Sequence, residues 1–390
     1  MGITAFLSLR ESPATARRLK SIGLAMLCAA MLGAGVSPSR AQSADDLRQW
    51  GEQALDAMRT DFLIPRRGLY ADSWKAGQTK PGDPAFTWGC GVVLPALVAA
   101  AQIDPTKYRK PMEQYVRALD VYLTDGPNGI PGYDVLPGPK PFDRYYDDNM
   151  WVDMALVDVY DITGSRPYLN RAEAIFKFID SGEDSELGGG IYWKEKEKSS
   201  KNTCSNGPAI VCALRLFQAS QKRVYLDTAK RLYAWTNAHL QDTDGLYFDN
   251  IKIDGKVEKT KWSYNTALML RANCLLYQIT SDATYLTEAK RIGKAAESYW
   301  VKPDTGAIAD GGQFAHLLCE AFFALGQADR DPHWKQLVVH ALGYVHDHVR
   351  DSNGRYGDTW NRPVTAPLQK VGILSQASVA RAFLFASHAM

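Results

Sequence analysis

Apolar residues recur at spacings of three and four through twelve windows of the chain: 43–62, 87–102, 106–124, 148–163, 166–181, 203–219, 222–240, 263–280, 282–300, 312–327, 331–350 and 371–388. That period belongs to α-helices, and caps and breakers bound each window. The windows are of two alternating kinds. Segments such as 92–101, 209–217 and 267–277 are apolar around most of the circumference, the pattern of a helix buried on every side. Others keep a charged face, as from Lys222-Arg223 to Lys230-Arg231 and from Lys290-Arg291 to Lys294. No stretch reads as a convincing long strand, so an all-α fold is expected.

The connections alternate as well. Thr163-Gly164-Ser165-Arg166-Pro167 and Thr280-Ser281-Asp282 are tight turns that suit antiparallel hairpins. The longer connections resemble one another: Arg67-Gly68-Leu69-Tyr70-Ala71-Asp72, Asn128-Gly129-Ile130-Pro131-Gly132-Tyr133-Asp134, Gly188-Gly189-Gly190-Ile191-Tyr192-Trp193, Asp244-Gly245-Leu246-Tyr247-Phe248-Asp249, Asp304-Thr305-Gly306-Ala307-Ile308-Ala309-Asp310 and Asn353-Gly354-Arg355-Tyr356-Gly357-Asp358. They recur about every 50–60 residues, a period that marks a repeated supersecondary unit. Six such hairpins make an (α/α)6 toroid, in which the helix after each long loop belongs to the inner ring. All six long loops then gather at one end, with the N-termini of the inner helices, and loop-rich ends of rigid scaffolds are where sites form.

The first 41 of the 390 residues read differently. Arg17, Arg18 and Lys20 precede an apolar run from Ile22 to Val36 and then Pro38-Ser39-Arg40-Ala41, the three parts of a signal peptide. The run falls short of the ~20 apolar residues a membrane span needs, and there is no second candidate. The expectation is an exported protein, periplasmic or secreted, with residues 42–390 as one domain. Removing the leader takes away five basic residues and one acidic, which turns a net charge of +2 into −2. A near-neutral chain has no electrostatic reason to bind nucleic acid or an anionic membrane surface. Cys90, Cys204, Cys212, Cys274 and Cys319 are odd in number and form no C-x-x-C pair, which favours buried thiols over bridges.

Candidate chemistry concentrates on the predicted loop end. Trp74, Trp88, Trp151, Trp193, Trp262 and Trp360, six of the ten tryptophans, fall there, with Tyr145, Tyr146, Tyr192, Tyr247 and Tyr264. Sugar rings stack their C–H faces on indoles, and tyrosine hydroxyls hold sugar hydroxyls. Asp147 and Asp148 lie between Tyr146 and Asn149 at the start of an inner helix. Helix capping alone would account for such a pair. Glycoside hydrolysis also needs two carboxyl groups, about 5–5.5 Å apart in retaining enzymes and about 6.5–9.5 Å in inverting ones. Neighbouring Cα atoms are about 3.8 Å apart, so the spacing leans towards retention. Whichever acid accepts helix N–H groups is held ionised, and its charge raises the pKa of the other. No metal-ligand set, phosphate loop or Gly-x-Ser-x-Gly elbow is present, and neither cofactor nor metal is expected. His346 and His348 face different ways on a helix, while His316 lies inside a predicted inner helix.

Tyr146-Asp147-Asp148-Asn149-x-Trp151, then Gly189-Gly190-Ile191-Tyr192-Trp193, Lys201-Asn202-x-x-Ser205-Asn206-Gly207, Asp249-Asn250 and Trp262-Ser263-Tyr264-Asn265 together resemble the successive motifs of glycoside hydrolase family 76. The resemblance implies an (α/α)6 α-1,6-mannanase acting on a mannan with retention, with Asp147 as nucleophile and Asp148 as acid/base. It also implies that Trp193, Lys201, Asn202, Asn206, Asp249, Trp262, Tyr264 and Asn265 line or brace the sugar cleft, with Tyr146, Trp88, Asn149 and Trp151 beside the pair. The protein is expected to act as a monomer. A mannosyl transferase, a carbohydrate-binding cell-wall protein and another six-hairpin glycosidase stay open as alternatives.

Overall fold

The two kinds of helical pattern end up in two concentric rings. The computed structural model describes residues 42–138 and 143–390, so the leader expected at 1–41 lies outside the described residues. Twelve α-helices follow: α1 (Ala44–Phe62), α2 (Thr87–Ile103), α3 (Pro105–Ala118), α4 (Tyr146–Thr163), α5 (Arg166–Asp180), α6 (Thr203–Ser220), α7 (Arg223–Leu240), α8 (Ser263–Thr280), α9 (Ala283–Trp300), α10 (Gly312–Asp329), α11 (Pro332–His348) and α12 (Ile373–Ala389). Helices α2, α4, α6, α8, α10 and α12 each pack on the next, and α12 packs on α2 to close the inner ring. Outside, α3, α5, α7, α9 and α11 lie on α2, α4, α6, α8 and α10, and α1 lies on α12. The fold is the (α/α)6 toroid.

Burial follows the patterning. Every residue of α2 from Gly89 to Ala101 is buried, because partners surround it, whereas α3 buries only the stripe Tyr108, Met112, Tyr115 and Val116. Four inner helices end alike, with a left-handed residue at Gly164, Gln221, Ser281 and Arg330 (φ 66°, 59°, 58° and 60°) turning the chain into the outer helix. Two predicted windows overran. Leu119–Tyr122 tightens into a 3-10 turn, and Lys370–Gly372 leaves the helix to pair antiparallel with Ser73–Lys75, joining the first and last long loops.

A second device anchors the loops. The fourth residue of an inner helix points backwards and holds the backbone of the preceding loop. Asn149 accepts from Tyr133 N (2.6 Å) and donates to Tyr133 O (3.0 Å) and Tyr145 O (2.8 Å). Asn206 does the same with Ile191 N (2.8 Å), Ile191 O (3.0 Å) and Asn202 O (2.8 Å). Thr266 accepts from Tyr247 N and Gln376 from Tyr356 N, each at 3.3 Å. Asn206→Ala strands the buried polar groups of Ile191, each worth about 1–3 kcal/mol. The variant is expected to lose at least that much stability in urea unfolding. A loss below about 0.5 kcal/mol, the size of an ordinary surface substitution, would contradict the anchoring role.

Candidate active site

The second residue of every inner helix faces the loop end of the ring. Trp88, Asp147, Cys204, Tyr264 and Leu374 line one cavity of about 660 Å³, and Gln313 lines a neighbouring one. The volume falls in the ~300–1,000 Å³ range of pockets that hold small ligands. Asp148, Trp151, Trp193, Asn202 and Asp249 complete the predicted residues in its wall. Trp151 reaches the cavity because Gly91 of α2 leaves room for it: a Cβ on Gly91 would lie 2.3 Å from Trp151 Cβ.

Helix α4 starts at Tyr146, two residues earlier than its sequence window, and its N-cap is Tyr145, which makes no side-chain cap bond. Neither aspartate is therefore the cap. Both lie in the first turn, where the helix dipole favours negative charge. Asp147 Oδ1 accepts from Asp148 N (3.0 Å), and Oδ2 accepts from Trp193 Nε1 (3.1 Å). Burial lifts the Asp147 carboxyl to about 6, opposed by the Cys204 thiol, the Trp193 indole and backbone N–H groups, all of which favour its charged form. Asp148 is lifted well above the usual carboxylate range, by burial first and then by the charges of Asp147 and Asp143. Asp147 thus ionises first, and Asp148 keeps its proton beside it.

Cys204, on α6, lies against both Asp147 and Tyr264; burial and the neighbouring Asp147 and Asp249 push its thiol well up, so it stays an S–H group. Asp249 is a third carboxyl in the wall, raised by burial and held by Asn250 Nδ2 at 2.8 Å. A clamp behind Asp147 fixes the indole. Arg144 is fully buried and pairs with Glu195 through Nε (2.9 Å) and Nη2 (2.7 Å), while Nη1 donates to Thr124 O and Ile130 O. Between these two residues, Tyr146 N donates to Trp193 O (3.0 Å).

Several predicted contacts are elsewhere. Asn149 and Asn206 are loop anchors, wholly buried. Tyr146 is buried with its ring stacked on Phe178. Lys201 stays out of the cavity lining for a reason of strand geometry. Ser200–Asn202 pairs with Asn250–Lys252, so alternation sends Ser200, Asn202, Asn250 and Lys252 to the cavity and Lys201 with Ile251 to the core. There Lys201 Nζ donates to Asp184 Oδ1 (2.8 Å), Glu186 O (2.7 Å) and Gly189 O (2.7 Å). Asn265 is buried against Asp249, behind the wall. Trp262 opens onto the neighbouring cavity, Trp360 is buried, and Trp74 lies under the Arg355 guanidinium at 3.7 Å. His316 is buried and neutral, its ring on Gly312 O. Sequence reading missed Asp72, Phe86, Cys204, Ser199, Lys252 and Phe314, which also line the cavity. Aligning the six helix starts would have found Cys204, and Phe314 one residue further along.

Among the described residues no cluster of three or more His, Cys, Asp or Glu is placed to hold a metal ion, all five cysteines are buried free thiols, and no helix is long and apolar enough to cross a membrane.

Comparison with known proteins agrees with this geometry. A GH76 alpha-mannanase of Bacteroides thetaiotaomicron superposes with a TM-score of 0.84 at 31% identity, over 88% of this chain and 96% of that one. A second structure from that organism, a glycoside hydrolase family 76 mannosidase, superposes with a TM-score of 0.81 at 26% identity, over 88% and 98%. A mannan endo-1,6-alpha-mannosidase, DCW1 of Candida glabrata, is 34% identical over 127 residues, 30% of this chain and 28% of that protein. The match to such curated relatives thus spans less than half their length. The profile of glycosyl hydrolase family 76 matches residues 42–366, and with its toroid and acid pair the chain belongs to that family.

Proposed function

We propose that the protein is an exported glycoside hydrolase that cleaves α-1,6-mannosidic bonds within a mannan, with retention of configuration. The observation that carries this reading is the asymmetry of the acid pair. Asp147 has three kinds of donor favouring its carboxylate, and Asp148 has only burial and neighbouring negative charge. The names of the curated yeast relatives, mannan endo-1,6-alpha-mannosidases, support the substrate.

In the first step the Asp147 carboxylate attacks the anomeric carbon, the bond to the leaving oxygen breaks, and Asp148 gives its proton to that oxygen. The product is a mannosyl ester on Asp147 and a Asp148 carboxylate. In the second step Asp148 takes a proton from water, whose oxygen attacks the same carbon and releases Asp147. The sequence adjacency of the acids suits this double displacement, because retaining enzymes hold their two carboxyl groups closer together than inverting ones, which leave room for a water. Trp88, Trp151, Tyr145 and Tyr264 offer aromatic faces to the rings on either side of the cut.

The test is the first-formed product on an α-1,6-linked mannan, followed by NMR. New reducing ends of α configuration are expected; initial β ends would overturn retention, and no new ends would overturn hydrolysis. Longer products on adding a mannoside acceptor would identify a transferase.

The pH dependence follows from the pair. Asp147 must be ionised, so kcat/KM is expected to fall as pH drops through about 6. Asp148 must be protonated, so activity falls again as pH rises through its higher value. Trp193→Phe removes a donor that favours the Asp147 charge and is expected to move the acid limb upward. An unmoved limb would contradict the role given to the indole.

A further inference from the structure

The inner ring is not evenly used by the acid-pair cavity. Loops entering α2, α4, α6 and α8 supply nearly all of its wall, while α10 and α12 contribute only Phe314 and Leu374. The loops before α10 and α12, with Trp262 at the entry to α8 and Gln313 at the start of α10, build a second compartment of about 460 Å³ that Asp310, Thr359, Asn361 and Arg362 complete. Phe314 belongs to both, a shared wall one ring thick. Its phenyl is stacked on Tyr264 (centroids 4.4 Å, 15°) and on Trp88 (5.8 Å, 21°) towards the acids, and meets Trp262 (5.3 Å) on the other side. An aromatic track thus leaves the acid pair's cavity and ends on an indole that is 38% exposed.

The polar groups around that indole divide in two. Asp310 is committed, since its carboxylate accepts from Ser263 N (2.9 Å) and Gly311 N (2.7 Å). The side chains of Gln313, Asn361 and Arg362 make no hydrogen bond or ion pair among the described residues. An exposed aromatic face ringed by an amide, a second amide and a guanidinium without partners is what a hexopyranose requires: a flat surface for its C–H face, and donors and acceptors for adjacent hydroxyls. Solvent alone gives no reason to hold an indole open at the end of an aromatic series.

We propose that this compartment is a distal sugar subsite, in which Trp262 stacks on and Arg362 and Asn361 hydrogen-bond to a further hexose of the chain whose scissile bond lies at Asp147 and Asp148. The proposal rests on the mannanase reading for the identity of the sugar. It makes Trp262 and Arg362 determinants of chain-length preference, separate from the residues that meet the reacting bond. Trp262 also touches Phe314, so a loss on replacing it has to be distinguished from loss of a prop. Arg362 is exposed and holds nothing in place, so Arg362→Ala leaves the fold undisturbed.

The experiment compares α-1,6-linked mannotriose and mannohexaose as substrates for the wild type, Trp262→Ala and Arg362→Ala, and measures their binding to the same variants carrying Asp147→Ala. Trp262→Ala is expected to weaken mannohexaose about tenfold more than mannotriose, in KM and in binding. Arg362→Ala is expected to give a smaller loss of the same length selectivity. Equal losses on both lengths, or none, would overturn the subsite. Should neither sugar be cut while mannohexaose still binds in a Trp262-dependent way, the mannanase reading falls and the subsite stands.

Discussion

Asp148→Ala is expected to lose about 10²- to 10⁴-fold in kcat on mannan, the usual contribution of a positioned acid/base. Asp147→Ala should abolish turnover, because no covalent intermediate forms. The two losses look alike on mannan, and azide separates them. With an activated aryl mannoside and Asp148→Ala, the ester on Asp147 still forms and azide then attacks it, so two inversions give an α-mannosyl azide. With Asp147→Ala, azide attacks the substrate directly, and one inversion gives the β anomer. The reverse assignment of anomers would exchange the roles of the two acids. Stability moves the opposite way to activity. The folded pKa of Asp148 is raised, so above its unfolded value of about 3.9 the native state holds a proton that the unfolded state has released. Stability therefore falls as pH rises towards that folded pKa, and the loss is in place at neutral pH. Asp148→Asn removes the ionisable group, and its Tm is expected to exceed the wild type's near pH 7 and to approach it below about pH 4. A lower Tm near pH 7 would show that the acid is stabilised by its site, contrary to the ordering of the pair.

The second large effect is structural and reaches the same carboxylate. Removing one partner from a buried ion pair costs about 3–5 kcal/mol. Glu195→Ala takes a carboxylate bound through two nitrogens from Arg144, which is fully buried, sits over the Phe178 ring at 4.3 Å and also donates to two carbonyls. A loss in that range is expected from urea unfolding, whereas the double variant Arg144→Met, Glu195→Leu should lose less than Glu195→Ala alone. A Glu195→Ala loss under about 1 kcal/mol, the typical worth of an exposed pair, would rule out the clamp. The two segments that the clamp joins lead directly into Asp147, in the first turn of α4, and Trp193. Any folded fraction of Glu195→Ala should therefore show the acid limb of the pH profile displaced upward, as Trp193→Phe does.

The architecture was legible because an all-round apolar helix and a one-sided helix leave different traces, and five of the six long loops repeat a glycine followed by an apolar residue. The position of the acids was legible for the same reason. What the side chains around them do was less so. Lys201 and Asn202 are neighbours with opposite fates, and strands of three residues are too short to show a period of two in the sequence. Asn149 and Asn206 sit in the same motifs as cavity residues yet serve the loop backbone, because the fourth residue of α4 and of α6 turns away from the cavity while the second turns into it. Cys204 and Phe314 carry no chemical signature of their own, and only their register in the ring exposes them. Tryptophan count alone could not separate Trp193, which donates to Asp147, from Trp360, which is core.

Pairing of Ser73–Lys75 with Lys370–Gly372 seals the one place where the ring of helices could have parted. A barrel without a seam has no hinge line, so its mouth does not wait for two lobes to shut on a glycan. Discrimination between chains is then a matter of relief carved beforehand into the rim. Four of the six loops are bolted to their own staves, and one can be recut without slackening the hoop.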